Sequence, residues 1–402
     1  MLRARVVTRV RIMTAAPTHD IDTDLAERLL AAYGRAGYAR VAPAILQPAE
    51  PFLDLSGEDM RRHMYLVTDA AGRELCLRPD LTIPVARHYL ASGAAAAAKP
   101  AGFCYLGLVF RDRGEASGEF LQAGIESFGR ADTAEADAEA LARGLEAAAH
   151  YGIADPDIAT GDVALFAALV AALDLAPAWQ RRLLKDFRKA TLAHDLERLA
   201  ATSPNGRTEY QGVLAALAHG NPKAAHAMVS DLLSIAGISV VGGRSIGEIA
   251  DRFVEQAELG ARNGLPQGAR ELIERFLAIA GTPNEAAAAL RGLAVAANIS
   301  LAPALDLFES RTQRLAARGI DIRRIRFATA FGRGVDYYTG LVFELFDPAR
   351  RVPGQLVAGG RYDGLLTRLG SSSPIPAVGF AVWIERLAAL AGAAGGSGGA
   401  GR

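Results

Sequence analysis

The stretch GFCYLGLVFRDRGEASGEFLQAGIESFG, Gly102 to Gly129, decides the fold of this 402-residue chain. Two apolar runs of strand length are joined by a polar loop from Asp112 to Glu119, which predicts a pair of neighbouring strands. In the second run Gln122 and Glu126 lie at alternate positions and therefore face the same side of the sheet. Because buried polar groups cost free energy unless they are paired or face a cleft, this side is a candidate pocket floor.

Arg111, Gln122 and Glu126 have two explanations. They form a pocket for a zwitterion, with Glu126 on an amine and Arg111 on a carboxylate or phosphate. Alternatively, a buried Arg–Glu pair stabilises the fold and binds nothing. The spacing alone leaves both explanations open.

The segments around this pair of strands indicate an α+β protein. MYLVTDAAGRELCLRP predicts a β-hairpin, and a helix is expected to start near Thr82. RIRFATAF, LVFELF, QLVAGG and PAVGFAV are further strand-like runs towards the C-terminus. Because strands and helices do not alternate regularly, we expect an antiparallel or mixed sheet flanked by helices.

The predicted domain plan has one interrupted core domain and two tails. Residues 1–19 form an arginine-rich, disordered tail, although a transit peptide would explain the same composition. The core spans residues 20–390 and is interrupted at about 163–319 by an inserted, mostly helical module rich in alanine and leucine. Residues 391–402 are expected to be a flexible glycine-rich tail.

Composition argues against several classes of function. The 44 basic and 44 acidic residues balance, so no overall field favours nucleic acid or an anionic membrane. The two cysteines, Cys76 and Cys104, and the scattered histidines have no metal-site spacing, so we expect no metal and a reducing, cytoplasmic setting. No apolar run reaches the ~20 residues that span a bilayer.

Three more polar clusters interrupt the strand-like regions. LRPDLT places Arg78, Asp80 and Thr82 at the start of a helix, where they either cap the helix or hold an ammonium group. GRGVDYYTG either forms a β-hairpin whose aromatic face packs in the core, or its Arg, Asp and two tyrosine hydroxyls form a dense group of donors and acceptors. In GGRYDGLL the paired glycines either make a turn or let the backbone approach a ligand closely. No single string decides between these explanations.

In their order along the chain, LRPDLT, FRDR with LQAGIESFG, RGVDYY, GGRYDGL and AVGFAVWIERL resemble the successive motifs of histidyl-tRNA synthetases. This resemblance implies the class II aminoacyl-tRNA synthetase fold, an antiparallel sheet flanked by helices. PAILQPAE around Pro43 resembles the class II dimer motif, which implies a homodimer. The histidine pocket of the family falls on eight positions of this sequence: Asp80, Thr82, Arg111, Gln122, Glu126, Arg333, Tyr337 and Tyr338.

The resemblance also implies a role for each of these residues. The carboxylates and Gln122 would hold the amine and the imidazole of histidine. Arg111 and Arg333 would face its carboxylate, and the two tyrosines would line the ring pocket.

Three departures separate the chain from a synthetase. The sequence ends soon after Leu390, where a synthetase continues into the domain that grips the tRNA anticodon. The loop DRGEASGE carries acids that would repel the phosphates of ATP. Trp383 stands where the synthetase has a small glycine beneath the adenine ring, so its indole is expected to exclude the base.

With these three departures, the chain resembles a paralogous family, the regulatory subunits of ATP phosphoribosyltransferase. That resemblance implies a cytoplasmic, non-catalytic subunit without cofactor or tRNA, assembled as a hetero-octamer with the short-form catalytic subunit for the first step of histidine biosynthesis. Bound L-histidine would then mediate allosteric feedback inhibition. The alternatives are a truncated, histidine-activating synthetase and an assembly scaffold with a vestigial pocket.

Overall fold

A mixed sheet flanked by helices forms the centre of the molecule. The computed structural model describes residues 23–55, 57–95, 99–114, 117–188, 265–332 and 337–396, with isolated positions between 189 and 264. The strands are β1 (Ala39–Arg40), β2 (Leu46–Pro48), β3 (Leu66–Thr68), β4 (Glu74–Leu77), β5 (Ala101–Phe110), β6 (Glu119–Phe128), β7 (Asp157–Asp162), β8 (Ala280–Gly281), β9 (Ile325–Ala328), β10 (Leu341–Phe346), β11 (Val357–Arg361) and β12 (Ala377–Trp383).

Helices cover both faces of this sheet. They are α1 (Thr23–Arg35), α2 (Glu50–Leu55), α3 (Gly57–Arg62), α4 (Thr82–Ala91), α5 (Thr133–His150), α6 (Val163–Ala172), α7 (Pro177–Arg188), α8 (Gln267–Leu277), α9 (Pro283–Ala297), α10 (Ala302–Ala317), α11 (Leu365–Arg368) and α12 (Ile384–Gly396), with a 3-10 turn at Ile322–Arg324. In the part of the chain that the structure describes, none of them is both long and apolar enough to cross a membrane.

The large sheet has the strand order β1-β5-β6-β12-β11-β10-β7-β9-β8. Its strands from β5 to β7 are antiparallel, which confirms the predicted fold class, and parallel pairs occur where β1 joins β5 and β9 joins β7. The stretch from Gly102 to Gly129 contains all of the β5–β6 pair except Ala101, and the pair is in register from Ala101 opposite Phe128 to Phe110 opposite Glu119. The predicted β3–β4 hairpin also forms and pairs with β2 in a small second sheet.

The two faces of the large sheet pack against different helices. On one face α1 and α5 bury Leu29 and Leu141 against Ile125 and Phe380. On the other face, residues of α4, α6, α8 and α9 share one hydrophobic cluster with Phe128 of β6. Since side chains alternate along a strand, Gln122 and Glu126 belong to this second face.

The described parts of the predicted insertion are mostly helical, as the composition indicated, and include the short strand β8 of the large sheet. Helices α6, α8 and α9 share their hydrophobic cluster with the sheet, so packing is continuous across the predicted boundary at 163. The middle of the insertion and the tail at 1–19 lie outside the described residues, and the domain division stays a prediction.

The C-terminal boundary needs a correction. Helix α12 continues to Gly396, so residues 391–396 extend a helix instead of belonging to a flexible tail. Three of these six residues, Ala391, Ala393 and Ala394, are strong helix formers. Residues 397–402 lie outside the described residues.

Candidate ligand-binding site

A cavity of about 60 Å³ lies over β6 and β12 on the second face of the sheet. We call it the Glu126 pocket, because Glu126 adjoins it. Six of the eight predicted site residues line it: Asp80, Thr82, Arg111, Gln122, Tyr337 and Tyr338. Its lining combines charged, amide and aromatic side chains, which suits a small polar molecule such as an amino acid.

Glu126 is completely buried at the centre of this arrangement. Its Oε1 accepts hydrogen bonds from the hydroxyls of Thr82 (2.7 Å) and Tyr105 (3.2 Å), and its Oε2 accepts one from the hydroxyl of Tyr362. Burial raises the pKa of Glu126 to about 8, although these hydroxyls oppose the shift. A carboxylate accepts about four hydrogen bonds, so room remains for one donor from a ligand.

Gly379 makes the position of this carboxylate possible. It lies opposite Glu126 in the β6–β12 register and lines the pocket. A Cβ at position 379 would overlap the Glu126 carboxylate. The glycine therefore allows a carboxyl group to lie against the sheet where another side chain would otherwise fill the space.

Gln122 is a pocket residue whose side-chain amide has incomplete hydrogen bonding. Its side chain is 1% exposed and lines the pocket, yet neither Nε2 nor Oε1 makes a hydrogen bond to any residue that the structure describes. Leaving a buried amide without partners costs about 1–3 kcal/mol. A ligand with one donor and one acceptor would satisfy both atoms.

Asp80 and Thr82 enter the pocket from the start of α4. Asp80 is buried, and its Oδ1 accepts a hydrogen bond from the backbone N–H of Ile83 (3.2 Å). Burial raises the pKa of Asp80, and the nearby Arg111 opposes this shift. Asp80 therefore binds the start of α4, as one explanation of LRPDLT predicted, and it also lines the pocket; its binding of an ammonium group stays a prediction.

Arg78 from the same string does not reach the pocket. Its Nε donates to the carbonyl oxygen of Leu108 (2.7 Å), and its guanidinium also binds the carbonyl of Pro43. Arg78 therefore ties the segment before β2 to β5.

Aromatic rings close one side of the pocket. Tyr337 and Tyr338 are both buried, with ring centroids 5.0 Å apart, and Tyr362 meets Tyr337 edge-on at 5.7 Å. Arg333, the remaining predicted residue, lies outside the described residues. Arg111 directly follows β5 at the pocket wall, where its Nε donates to the carbonyl of Pro79 (2.7 Å).

Tyr105 and Tyr362 also belong to the site, although neither was predicted from the sequence. Tyr105 lies opposite Gly124 in the β5–β6 register and therefore reaches across to Glu126. Counting this register back from the loop could have found it. Tyr362 belongs to GGRYDGLL, a polar cluster in which the sequence predicts no site residue.

A second cavity, of about 230 Å³, adjoins the Glu126 pocket, and we call it the arginine cavity. Met60, Arg111 and Trp383 line both spaces, so Trp383 stands at their common wall. The other lining residues are His63, Asp112, Arg113, Phe120, Gln355 and Arg386. The acidic loop that was expected to repel anions thus borders a space in which basic side chains outnumber acids.

Comparison with known proteins supports one family. The sequence matches the family profile described as histidyl-tRNA synthetase over residues 17–242 and 248–387. An ATP phosphoribosyltransferase regulatory subunit from Brucella canis is 42% identical over 350 residues, which cover 87% of this chain and 92% of the relative.

Solved structures agree with this fold. An ATP phosphoribosyltransferase regulatory subunit/histidyl-tRNA synthetase from Bacillus halodurans has a TM-score of 0.66 at 22% identity, covering 94% of this chain and 83% of that one. A histidine–tRNA ligase subunit from Alicyclobacillus acidocaldarius has a TM-score of 0.58 at 24% identity, covering 98% and 99%.

The sheet and its helices define a protein of the class II aminoacyl-tRNA synthetase type, with a histidyl-tRNA synthetase-like domain. Within that class, the chain belongs to the family of ATP phosphoribosyltransferase regulatory subunits. The resemblance carried by the ordered motifs is thereby confirmed.

Proposed function

We propose that this chain is a non-catalytic regulatory subunit that binds L-histidine in the Glu126 pocket and controls a short-form ATP phosphoribosyltransferase catalytic subunit. The observation that carries the proposal is the buried, unsatisfied amide of Gln122 beside the buried carboxylate of Glu126. The name of the Brucella canis relative supports the regulatory role.

The chemistry of the pocket suits histidine. Asp80, Glu126 and Gln122 offer acceptors for the ammonium group and the imidazole N–H, and Gln122 also offers donors. Arg111, joined by Arg333 through the family resemblance, faces the ligand carboxylate. The rings of Tyr337 and Tyr338 supply a flat apolar wall for the imidazole.

Trp383 supports a role without catalysis. Its indole occupies the wall beside the pocket, and the adenine of a histidine-activating enzyme would need space there. We therefore expect no histidine-dependent exchange of pyrophosphate into ATP by the purified chain. Detection of such exchange would replace the proposal with its alternative, a truncated synthetase.

The proposed assembly has two kinds of interface. The small β2–β4–β3 sheet exposes Leu46 (51%) and Leu66 (46%), an apolar surface that supports a homodimer through this sheet. The homodimer would join the catalytic subunit in a cytoplasmic hetero-octamer for the first step of histidine biosynthesis.

Feedback inhibition then follows from differential affinity. Histidine would bind an inhibited arrangement of the complex better than an active one, with a coupling free energy of ~1–3 kcal/mol. Coupling of this kind is reciprocal, so substrates that oppose inhibition would weaken histidine binding.

The decisive experiment adds the purified chain to a short catalytic subunit and titrates histidine. We expect increased phosphoribosyl-ATP formation that histidine inhibits. In the Glu126→Ala and Arg333→Ala variants, we expect this inhibition to be lost, because each leaves a charged ligand group unpaired. The matched control is Glu285→Ala, which removes an exposed carboxylate at the start of α9.

Calorimetry on the chain alone separates the possible outcomes. Saturable histidine binding in the wild type and in Glu285→Ala, with none in Glu126→Ala, supports the assignment. Unchanged histidine affinity in Glu126→Ala would remove it. No histidine binding by a chain that still activates the catalytic subunit would indicate a scaffold with a vestigial pocket.

A further inference from the structure

Asp363 lies directly after Tyr362, lines neither of the two cavities and makes several hydrogen bonds. Its Oδ1 accepts from the backbone N–H of Ala377 (2.8 Å) and from Nη1 of Arg361 (2.8 Å). Its own backbone N–H donates to the hydroxyl of Thr339 (3.0 Å). This one residue therefore joins the end of β11, the start of β12 and the segment before β10.

These hydrogen bonds fix the backbone on both sides of Tyr362. The N–H of Tyr362 donates to the carbonyl of Ala377 (2.8 Å), and the N–H of Ala377 donates to Asp363, so the two segments are joined twice. Thr339 donates its N–H to the carbonyl of Arg361 (2.8 Å) on the preceding side. Because the rotamers open to a side chain depend on its backbone, this attachment directs the ring of Tyr362 into the pocket.

The hydroxyl of Tyr362 has a place on Glu126 that no other described residue shares. Thr82 and Tyr105 donate to Oε1 of Glu126, whereas Tyr362 donates to Oε2. A hydrogen bond to the ionised form of a buried carboxyl group favours that form. Loss of the Tyr362 hydroxyl would therefore disfavour the carboxylate that a cationic or N–H group of a ligand needs.

Few charges near Glu126 could replace this hydrogen bond. The ionisable side chains that face the pocket around it are Asp80, Tyr105, Arg111, Tyr337 and Tyr362. Burial raises the pKa of Glu126 to about 8, and the hydrogen bond from Tyr362 is the largest influence in the opposite direction. The negative charge of Asp80 adds to the rise.

We propose that Asp363 is a positioning residue of the Glu126 pocket. It holds the hydroxyl of Tyr362 on the Glu126 carboxylate and thereby sets the affinity of the pocket for histidine. Its contacts with Ala377 and Arg361 provide this control, because they fix the backbone from which the tyrosine projects. The identity of the ligand rests on the proposed function, whereas the contact between Tyr362 and Glu126 does not.

The substitution Asp363→Ala should leave a folded chain. The side chain of Asp363 is partly exposed (36%), and Arg361 keeps Asp137 as its carboxylate partner at 2.7 Å. If this variant nevertheless fails to fold, Thr339→Val removes the acceptor of the Asp363 N–H and tests the same attachment from its other side.

NMR of the empty chain tests the contact without a ligand. With glutamate labelled at the carboxyl carbon, the signal of Glu126 is assigned by its loss in Glu126→Gln, and its midpoint is read from a pH titration. We expect Asp363→Ala and Tyr362→Phe each to raise this midpoint by about one pH unit, because the carboxylate loses one hydrogen bond. Asp363→Asn keeps an oxygen acceptor and should stay within about 0.3 pH unit of the wild type.

The matched control is Asp347→Ala. Asp347 follows β10 at the far end of the same pair of strands, where it accepts from the backbone N–H of Arg351 (2.7 Å) and from its guanidinium (2.8 Å). This variant loses the same kinds of hydrogen bond away from the pocket, so the midpoint of Glu126 should not move. An equal shift in Asp347→Ala, or no shift in Asp363→Ala, would overturn the proposal.

Calorimetry with histidine tests the consequence for binding. At pH 7 we expect Asp363→Ala to bind histidine about tenfold more weakly, because a smaller fraction of Glu126 is ionised. At pH 8 the wild type should release about half a proton per histidine bound, and Asp363→Ala about one. A structural role alone would leave this proton release unchanged.

The double variant Asp363→Ala/Tyr362→Phe shows whether the aspartate acts through the tyrosine. It should bind histidine no more weakly than Tyr362→Phe, since both substitutions remove the same hydrogen bond. Additive losses would give Asp363 another route to the pocket and overturn the proposal.

The two methods together separate this inference from the proposed function. A raised midpoint in Asp363→Ala, with no histidine binding by the wild type, would remove the proposed function and leave Asp363 as the residue that positions Tyr362. Histidine binding by the wild type, with an unmoved midpoint in Asp363→Ala, would keep the proposed function and remove the positioning role.

Discussion

Two groups of buried polar side chains lie on opposite faces of the same sheet and differ in how fully their partners satisfy them. One is the Glu126 pocket. The other, which we call the Asp137 network, joins Asp137 of α5, Arg311 of α10 and Arg361 of β11, together with Asp162 and Asp363. In the network Arg361 binds Asp137 at 2.7 Å, and Arg311 binds Asp137 at 3.1 Å and Asp162 at 2.5 Å.

The comparison teaches how a structural cluster differs from a binding site. In the Asp137 network both guanidinium groups have carboxylate partners, and the charges nearly balance. In the Glu126 pocket, Gln122 has no partner among the described residues, and hydroxyls alone bind the carboxylate of Glu126. The network is complete without a ligand, whereas the pocket is completed by one.

The largest expected effect tests the network as a structural element. Replacing Arg311 by Met should lower the free energy of unfolding by about 3–5 kcal/mol, because two buried carboxylates lose a cation. Urea denaturation measures this loss. Calorimetry at low temperature should still detect histidine binding by the folded variant, since Arg311 is on the other face of the sheet.

The matched control for that substitution is Arg291→Met. Arg291 forms an exposed ion pair with Glu309 at 2.6 Å, and exposed pairs contribute about 0–1 kcal/mol. If Arg311→Met cost no more than Arg291→Met, the network would not stabilise the fold as described.

The sequence predicted one of these groups better than the other. The period of a strand was sufficient to place Gln122 and Glu126 on one face, and the ordered motifs were sufficient for the fold. Because side chains alternate between the two faces of a sheet, two neighbours in GGRYDGLL point in opposite directions. Arg361 points into the Asp137 network and Tyr362 into the pocket. Sequence alone could not assign them, because Arg361 and Asp137 are 224 positions apart and meet only through helix packing.

The next largest effect distinguishes a buried amide that has hydrogen-bond partners from one that has none. Replacing Gln122 by Leu should raise the free energy of unfolding of the ligand-free chain by about 1 kcal/mol, because a buried amide without partners is removed. The same substitution should weaken histidine binding about tenfold, since the ligand loses its hydrogen bonds. Denaturation and calorimetry on one preparation measure both quantities.

Gln47→Leu is the control with the opposite sign. Gln47 is also buried, but its Nε2 donates to the carbonyl of Ala44 (2.8 Å) and its Oε1 accepts from Arg87 (3.1 Å). Removing this satisfied amide should destabilise the chain. Equal destabilisation by Gln122→Leu would mean that Gln122 is satisfied in solution and does not mark a ligand site.

The smallest expected effect concerns protons in the Glu126 pocket. With a pKa of about 8, Glu126 is largely protonated at pH 7 in the empty pocket. An ammonium or imidazole N–H of the ligand favours the carboxylate form, so binding lowers this pKa and releases a proton. Histidine affinity should therefore rise about fivefold from pH 7 to pH 8, as the fraction of ionised Glu126 increases.

Calorimetry in two buffers with different ionisation enthalpies measures this release directly. We expect about one proton released per histidine bound at pH 7, falling as the pH passes the pKa of the empty pocket. In Glu126→Gln, whose amide does not titrate, the residual binding should show neither the buffer dependence nor the rise in affinity. The same proton release in the variant would assign the titration to another group, and its absence in the wild type would mean that Glu126 is already ionised before histidine arrives.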